Sequence, residues 1–526
     1  MPHATLSFFR VSTRPVARLW AAIAAASLAP VAVLAATLPS PPQTFDSSYV
    51  APTGAVIRVA AGRNLQTALN NAKLGDTIVL QAGASYQGPF TLPNKTVGSG
   101  WIYVVSSNLS SLPAAGTRVS PSNAVNMPKI VAPNGLNAVN TVASSHHFRF
   151  VGIEFAPAPG TTKLYALVAI GNGDASPATL PHNIVFDRCY VHGIAGTNDR
   201  RGIEMDGAYV AVVDSYFTNL QDADSDSQAL WAYNTTGPLQ IRNNYLEAAT
   251  ENVMFGGADS RASTLVPTSI EITNNHFYKP LSLITTAYGV KNLLEFKAAQ
   301  RVLVTGNTFE NSPAKSQNGY AIIITPANDG RSPWAVTSDI AITGNRFINV
   351  GSGITLDGRD GATLLTQRIL IRDNLLGITG LNGADGRAFL FLNGGSDFTI
   401  THNTIINTAL PPTFTHSDLA LADSTVKVTN LVFTNNLATT TSYGFFGSGV
   451  GEGTRALNGF FTTWAFSKNV IVARPAGVYP GGNFFPASVA AIGFVNYAGG
   501  NYALVATSPY KDAGTDGANI GSTDLP

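Results

Sequence analysis

The sequence predicts an all-β protein, a right-handed parallel β-helix whose first coil is covered by a short capping helix. Three observations support this fold class: an apolar repeat that keeps an asparagine in constant phase, a composition rich in glycine and poor in charge, and an amphipathic segment ahead of the first regular strands. Charged residues form 12% of the 526-residue chain, which contains 50 glycines. Such a composition is typical of many short strands joined by turns.

The repeat consists of two alternating apolar residues, a turn that contains asparagine, and a further apolar residue. Alternation over four or five positions predicts a short strand. Coils stacked about 4.8 Å apart would let each asparagine amide bond to the next one. A left-handed hexapeptide helix would show a six-residue period, and a β-sandwich would not keep one asparagine in phase. The eight asparagines are Asn244, Asn275, Asn307, Asn345, Asn374, Asn403, Asn436 and Asn469.

The chain divides into four predicted segments. Residues 1–35 combine arginines, an apolar run and small residues, which is the layout of a secretory signal cleaved near Ala35 or Ala36. An uncleaved membrane anchor is the alternative, and Pro30 and the short apolar run argue against it. Residues 36–55 are expected to be a linker, residues 56–440 the β-helix, and residues 441–526 the closing coils and a C-terminal cap. The mature protein is therefore expected to be secreted, to the medium or the periplasm, and to have no contact with a membrane.

The net charge and the cysteine count limit the partners and the covalent cross-links that can be expected. The formal net charge is +1, and removal of the three signal arginines would leave the mature chain at −2. No large basic face follows from this balance, so a nucleic-acid partner is not expected. The single cysteine, Cys189, excludes a disulfide within the chain. We expect a monomer held together by its core and its hydrogen bonds.

The N-terminal part of the predicted solenoid carries a family resemblance. Residues Asn64–Lys73 are expected to form the capping helix, and Gly75–Leu80 reads GDTIVL. In these features, and over roughly Val56–Asn469, the chain resembles the pectin-lyase-like superfamily of parallel β-helix proteins. The resemblance implies that the strand preceding each asparagine-turn pair forms the floor of a substrate cleft. The scaffold itself carries lyases, hydrolases and binding proteins alike.

The outward residues of these floor strands are predicted to form two columns, because outward and core residues alternate along a strand. Both columns contain acidic and aromatic residues, and the second also contains a lysine, which suits a groove that binds sugars. The first column is Glu204, Trp231, Met254, Glu295, Ile323, Thr355 and Phe391. The second column is Asp206, Tyr233, Gly256, Lys297, Thr325, Asp357 and Asn393.

Lys297 is the leading catalytic candidate. The segment Leu293–Phe309 is similar to the lysine-bearing coil of the alginate and chondroitin lyase family, in which a Lys and Arg pair removes a proton beside a uronate carboxylate. The resemblance implies that Lys297 is the base. The next floor strand, Ala321–Thr325, contains no arginine, so the chain departs from the family pattern there. A surface ion pair with Glu295 is the alternative interpretation of this lysine.

The roles of the remaining candidate residues are inferred from the chemistry of their side chains. Tyr233 could protonate the leaving oxygen, and Ca²⁺ is a candidate cofactor, although no metal ligand is assigned. The acidic run in Asp222–Ser227 could bind Ca²⁺, but it lacks the turn glycine and final glutamate of an EF-hand loop. The predicted substrate-binding residues are Glu204, Asp206, Trp231, Glu295, Asp357 and Arg359.

The function predicted from these features is binding of an acidic polysaccharide and its cleavage by β-elimination. One alternative is a non-catalytic carbohydrate-binding or cell-surface β-helix protein. A glycoside hydrolase is another, and it needs two carboxyl groups separated by about 5–9.5 Å. Glu204 and Glu295 are three coils apart, roughly 14 Å, so a hydrolase would have to use acids from loops.

Overall fold

The computed structural model describes residues 36–171, 173–409 and 418–523. The predicted signal segment, residues 1–35, lies outside the described residues. The described chain is a right-handed parallel β-helix, because successive coils each add one strand to three long parallel sheets.

The sheets are named here by their order within a coil. In the described residues, the floor sheet comprises Phe90–Leu92, Val139–Thr141, Val168–Ile170, Arg201–Met205, Gln228–Ala232, Glu251–Phe255, Leu294–Phe296, Tyr320–Ile324, Ser352–Asp357, Phe389–Leu392, Asp418–Ala422, Tyr443–Gly447 and the antiparallel Gly451–Glu452. The second sheet comprises Val56–Val59, Thr77–Leu80, Ile102–Ser106, His146–Val151, His182–Asp187, Ala208–Val213, Leu239–Arg242, Thr268–Thr273, Ala299–Thr305, Thr337–Thr343, Gln367–Arg372, Ser396–Thr401, Thr429–Thr434 and Trp464–Ser467. The third sheet comprises Ser85–Gln87, Lys129–Ala132, Glu154–Pro157, Tyr190–His192, Tyr216–Leu220, Tyr245–Ala248, His276–Tyr278, Thr308–Ser312, Arg346–Val350, Leu375–Ile378, Thr404–Asn407, Leu437–Ala438 and Val470–Ile471.

The other elements are short. Two small pairings join Lys163–Leu164 to Asn198–Asp199, and Phe494–Asn496 to Asn501–Leu504. The α-helices of the described chain are Leu65–Asn71 and Thr454–Phe460. The 3₁₀ helices are Leu109–Ser111, Pro121–Asn126, Pro177–Thr179, Ser263–Leu265, Leu281–Thr285, Leu381–Gly383, Ala476–Val478 and Val489–Ile492. None of the helices within residues 36–171, 173–409 and 418–523 is long and apolar enough to cross a bilayer.

The predicted asparagine ladder is present. The side-chain amide of each of the eight asparagines donates to the side-chain oxygen of the next, at 2.9–3.1 Å, and the last one donates to Asn483. The same amides also donate to backbone carbonyls of the preceding coil, at 2.8–2.9 Å. All eight side chains are buried, and this network satisfies the polar groups that the tight turns enclose. The ladder fixes the phase of successive coils.

The capping helix confirms the prediction for the N-terminal end. Leu65–Asn71 begins after Asn64, whose side chain accepts a hydrogen bond from the Thr67 amide. Leu65 and Leu69 are buried in the same core as the first coils. The helix thereby covers apolar side chains that a solenoid end would otherwise leave in water.

Residues 37–50 form an extended strap over the outer face of the second sheet. The Thr37 amide donates to Asp397 at 3.2 Å, and the Ser40 amide donates to Asp339 at 2.9 Å. Further along, Arg149 donates to the Ser47 carbonyl at 2.7 Å. At the end of the strap, the Tyr103 hydroxyl donates to the Val50 carbonyl. From the strand of Asp397 to the strand of Tyr103, Ile102–Ser106, there are nine steps in the sheet. Nine strand spacings and thirteen extended residues both correspond to about 43 Å, so the strap is close to full extension.

The register of the floor sheet matches the prediction through Thr355 and departs from it at the next strand. Leu390 and Leu392 were expected to face the core, but Phe389 and Phe391 do so, paired with Ile354 and Leu356. The assignments of Phe391 and Asn393 to the outward columns are therefore wrong by one residue. The odd and the even positions of this strand are both apolar, so alternation alone does not show which of the two faces the core.

Candidate functional site

The floor sheet brings most of the predicted site residues onto one face. Glu204, Trp231, Met254, Glu295 and Ile323 are aligned across five successive strands, and Thr355 follows them. The core partners of these strands, such as Phe296, are fully buried. The first column therefore faces away from the core, as the alternation predicted.

Lys297 follows the floor strand Leu294–Phe296 directly, and its side chain is 24% exposed. Its Nζ lies 3.4 Å from Glu295 Oε1. The lysine stem passes over Gly257, where an added Cβ would lie 3.3 Å from Lys297 Cδ. Gly256 has a φ of +84°, and an added Cβ there would lie 2.5 Å from the Ala298 amide nitrogen. Gly257 thus leaves space for the lysine stem, and Gly256 leaves space for the backbone of Lys297 and Ala298.

Glu295 is a buried carboxyl group with only 3% of its side chain exposed. Burial, assisted by the nearby Glu251 carboxylate and opposed by Lys297, raises its pKa to about 7. The Asn292 amide donates to Glu295 Oε2 at 3.2 Å. Near neutral pH, this carboxyl group can therefore exchange a proton and remain in contact with the lysine.

Trp231 and Tyr233 form a stacked pair beside this group. Their ring centroids are 4.7 Å apart, and the Arg201 guanidinium lies 3.7 Å from the Trp231 ring. Trp231 also donates to the Gly256 carbonyl at 2.8 Å and is 5% exposed. Covered in this way, Trp231 supports the floor, whereas Tyr233 is half-buried and keeps part of its ring exposed.

The predicted proton donor lies some distance from the predicted base. In the second column, Gly256 separates Tyr233 from Lys297, which places the two backbones two coils apart, or roughly 10 Å. Burial raises the pKa of Tyr233 to about 12, so its hydroxyl keeps its proton at neutral pH. Tyr233 and Lys297 are not on adjacent coils, and the coil of Gly256 lies between them.

Two of the predicted acidic residues, Asp206 and Glu204, form hydrogen bonds or ion pairs with neighbouring residues of the protein. Asp206 accepts hydrogen bonds from the Tyr233 and Asn234 amides at 2.8 and 3.0 Å, and burial raises its pKa to about 7. Glu204 pairs with Arg201 at 3.2 Å, and its pKa is raised by burial.

Asp357 and Arg359 lie at the far end of the second column. Asp357 accepts bonds from Thr325, from Asn393 and from the Arg359 amide, at 3.3, 3.0 and 3.2 Å. Arg359 is exposed in the loop that follows.

A third set of floor residues was missed by the sequence prediction. Arg201 donates to Gln228 at 2.7 Å, and Gln228 donates to Glu251 at 2.7 Å. Glu251 Oε1 lies 3.4 Å from Lys291 Nζ, which also pairs with Asp226. Strict alternation places Arg201 and Glu251 in the core. In the structure, two successive residues near the start of such a strand face the core, for example Ala229 and Leu230. Adjacent apolar residues at a strand start were the sequence signal that could have indicated this change of phase.

The coil after Lys297 carries no cation on its floor strand. Ile323 is aligned with Glu295, and Thr325 follows as the counterpart of Lys297. The floor strand that the sequence showed to contain no arginine is therefore the strand next to that of Lys297 in the structure as well.

The acidic loop does not form a metal cluster. Asp224 pairs with Lys163 at 2.8 Å, Asp226 pairs with Lys291, and Asp222 accepts the amides of Asp224 and Ser225. Across the described ranges, no group of three or more His, Cys, Asp or Glu side chains is arranged to hold a metal ion.

These features define a parallel β-helix protein with a charged and aromatic floor. Its fold is similar to that of a mannuronic acid specific polysaccharide family 6 lyase from human gut microbiota, with a TM-score of 0.52, 11% identity, and coverage of 80% of this chain and 86% of that one. It is also similar to the PL6 family alginate lyase AlyGC, with a TM-score of 0.51, 14% identity, and coverage of 90% of this chain and 59% of that one. No protein-family model and no curated protein sequence matches the chain. At these identities the likeness concerns the fold.

Proposed function

We propose that this protein is secreted, acts as a monomer, and binds an acidic polysaccharide along the floor sheet, which it cleaves by β-elimination. The observation that carries the proposal is Lys297, a partly exposed amine over two glycines and in contact with a buried carboxyl group of raised pKa. The similar folds of two enzymes described as lyases of mannuronic acid and alginate support the same class of reaction.

In the proposed reaction, the Lys297 amine removes the proton on the carbon that bears the uronate carboxylate. The electron pair forms a carbon–carbon double bond, and the bond from the adjacent carbon to the glycosidic oxygen breaks. That oxygen leaves with a proton, and the new chain end is unsaturated. Glu295 assists because its raised pKa makes it a better acceptor for the lysine proton than an exposed glutamate. The protonated lysine can then return a proton to the leaving oxygen.

The substrate carboxylate must be neutralised while the proton is removed. Lys291 is the second cation of the same coil, and Arg359 is an exposed cation further along the floor. Tyr233 is proposed to stack on a neighbouring sugar, and Glu204, Asp206, Trp231 and Asp357 to shape the floor around it.

A panel assay tests this function. Alginate, pectate and glycosaminoglycans are incubated with the protein, with and without Ca²⁺, and both the ultraviolet absorbance of unsaturated products and new reducing ends are measured. The proposal predicts both signals together on at least one polymer. Reducing ends without absorbance would instead indicate a hydrolase.

Non-catalytic binding of a polysaccharide is the second candidate, and one observation favours it. Ile323 and Thr325 stand where a second cation would complement Lys297. Retention of the protein on an immobilised acidic polymer, with neither signal in the panel assay, would support this function over the lyase.

A further inference from the structure

A cavity of about 290 Å³ opens at the edge of the floor sheet, on the N-terminal side of Lys297. Its lining residues lie in the segments that directly precede four successive floor strands. They are Asn134, Gly135, Lys163, Leu164, Tyr165, Arg200, Asp222 and Ser225.

The cavity presents Lys163 and Arg200 beside an aromatic ring, and the carboxylate among its lining residues, Asp222, accepts the amides of Asp224 and Ser225. Tyr165 is 51% exposed, and the guanidinium groups of Arg200 and Arg201 lie 5.0 and 4.7 Å from its ring centroid. Arg200 is also held by a 2.8 Å bond to the Asp226 carbonyl, and it forms no ion pair with any described residue. A fixed guanidinium without a carboxylate partner is suited to bind a carboxylate through two parallel hydrogen bonds.

The second cation of the cavity is only loosely engaged. Lys163 pairs with Asp224 at 2.8 Å, but the two side chains are 57% and 63% exposed. Exposed pairs of this kind contribute little to stability and exchange readily with other anions. An anionic ligand can therefore replace Asp224 at little cost.

The cavity and the floor form one continuous surface. Arg201 contacts both Tyr165 and Trp231, and Trp231 stacks on Tyr233. The strand of Arg201 lies three coils from the strand that precedes Lys297, or roughly 14 Å. A polymer bound along the floor at Lys297 would reach the cavity several sugar residues away.

We propose that this cavity binds the carboxylate of an acidic sugar residue in the same polymer, away from the linkage that is cleaved. Arg200 is its principal ligand, and Tyr165 positions Arg200. The inference rests on the proposed function and extends it: affinity should depend on the length of the acidic chain.

The test uses the Lys297→Ala variant, which the proposed function predicts to bind without turnover, and size-fractionated oligosaccharides of alginate and polygalacturonate. Calorimetric affinities should rise by about tenfold once the fractions are long enough to reach the cavity. Adding Arg200→Gln should remove this gain and leave the affinity for short fractions unchanged. Tyr165→Ala should act in the same direction, and Arg63→Gln, a change of an exposed arginine near the capping helix, should have no effect.

Two outcomes would overturn the inference. Affinity that does not depend on length, or an Arg200→Gln effect that is equal for short and long fractions, removes the cavity from the binding site while the proposed function stands. If the unsubstituted protein neither binds nor cleaves any acidic fraction, the proposed function fails as well.

Discussion

The chemistry of the site depends on one pair of side chains at the residue scale. Glu295 is buried beside Lys297, and desolvation favours the neutral form of its carboxyl group. Because the Glu295 carboxyl group exchanges its proton near neutral pH, it is a better proton acceptor beside the lysine than a solvated glutamate would be. The base assignment therefore depends on the burial of Glu295 as much as on Lys297.

The raised pKa of Glu295 predicts a particular pH dependence of stability. In the folded protein the group titrates at about 7, whereas its ordinary value is 4.5, so the folded state binds the proton more tightly. The stability that this group contributes is complete below pH 4.5 and is lost as the pH rises to about 7. Glu295→Gln removes the titration. The unfolding free energy of the variant minus that of the unsubstituted protein should increase over this window, by at most about 3 kcal/mol.

Urea unfolding at a series of pH values measures this difference. Asp512→Asn, a change of an exposed acid in the C-terminal tail, serves as the control. A difference that is constant, or that decreases with pH, would contradict the burial argument.

Tyr233 offers a second prediction at this scale. If its ring stacks on a sugar and its hydroxyl takes no part in the chemistry, Tyr233→Phe should retain most of the activity. Tyr233→Ala should raise KM several-fold because the stacking surface is lost. A large fall in kcat for Tyr233→Phe would instead identify the hydroxyl as the proton donor.

At the scale of elements, the asparagine ladder sets the phase of the floor. Asn345 donates to Asn374 at 2.9 Å and accepts from the amides of Asn307 at 3.0 Å. Asn345→Ala leaves buried partners unbonded on both neighbouring coils, so it should lower the unfolding free energy by about 2–3 kcal/mol. Chemical denaturation measures the loss, with Asn94→Ala at an exposed position as the control. Equal stability of the two variants would show that the ladder does not hold the coils.

The strap is a second element with a testable role. Because residues 37–50 bond to many strands of the second sheet, a chain that begins at residue 51 should unfold at a lower temperature. Far-ultraviolet circular dichroism should still report the same β-structure, since the main core inside the coils does not include the strap. An unchanged Tm would indicate that the strap does not contribute to the stability of the fold.

The repeat predicted the fold and the outward column from Glu204 to Thr355, because the asparagines mark the phase of each coil. It failed at Phe389–Leu392, where either phase would bury two large apolar side chains. It also missed Arg201, Glu251 and Lys291, because the double core-facing positions at these strand starts break the two-residue period. Sequence spacing similarly gave no sign that residues 37–50 would cross the second sheet.

At the scale of the whole molecule, the β-helix acts as a rigid support for the floor. Every strand of the site is bonded to a strand on each side, and the ladder and core repeat beneath it. Side chains from distant parts of the sequence, from Arg201 to Asp357, are held at fixed spacings of about 4.8 Å. A long polymer can therefore be bound at several points without a large movement of the protein.

The most direct test of the account compares Lys297→Ala with Lys427→Ala, which changes an exposed lysine on a loop after a floor strand. Product formation is followed by ultraviolet absorbance on the acidic polymer that the unsubstituted protein cleaves fastest. The account predicts that Lys297→Ala lowers kcat by roughly 10²–10⁴-fold with the fold intact, and that Lys427→Ala does not change kcat. Full activity of a correctly folded Lys297→Ala variant would contradict it.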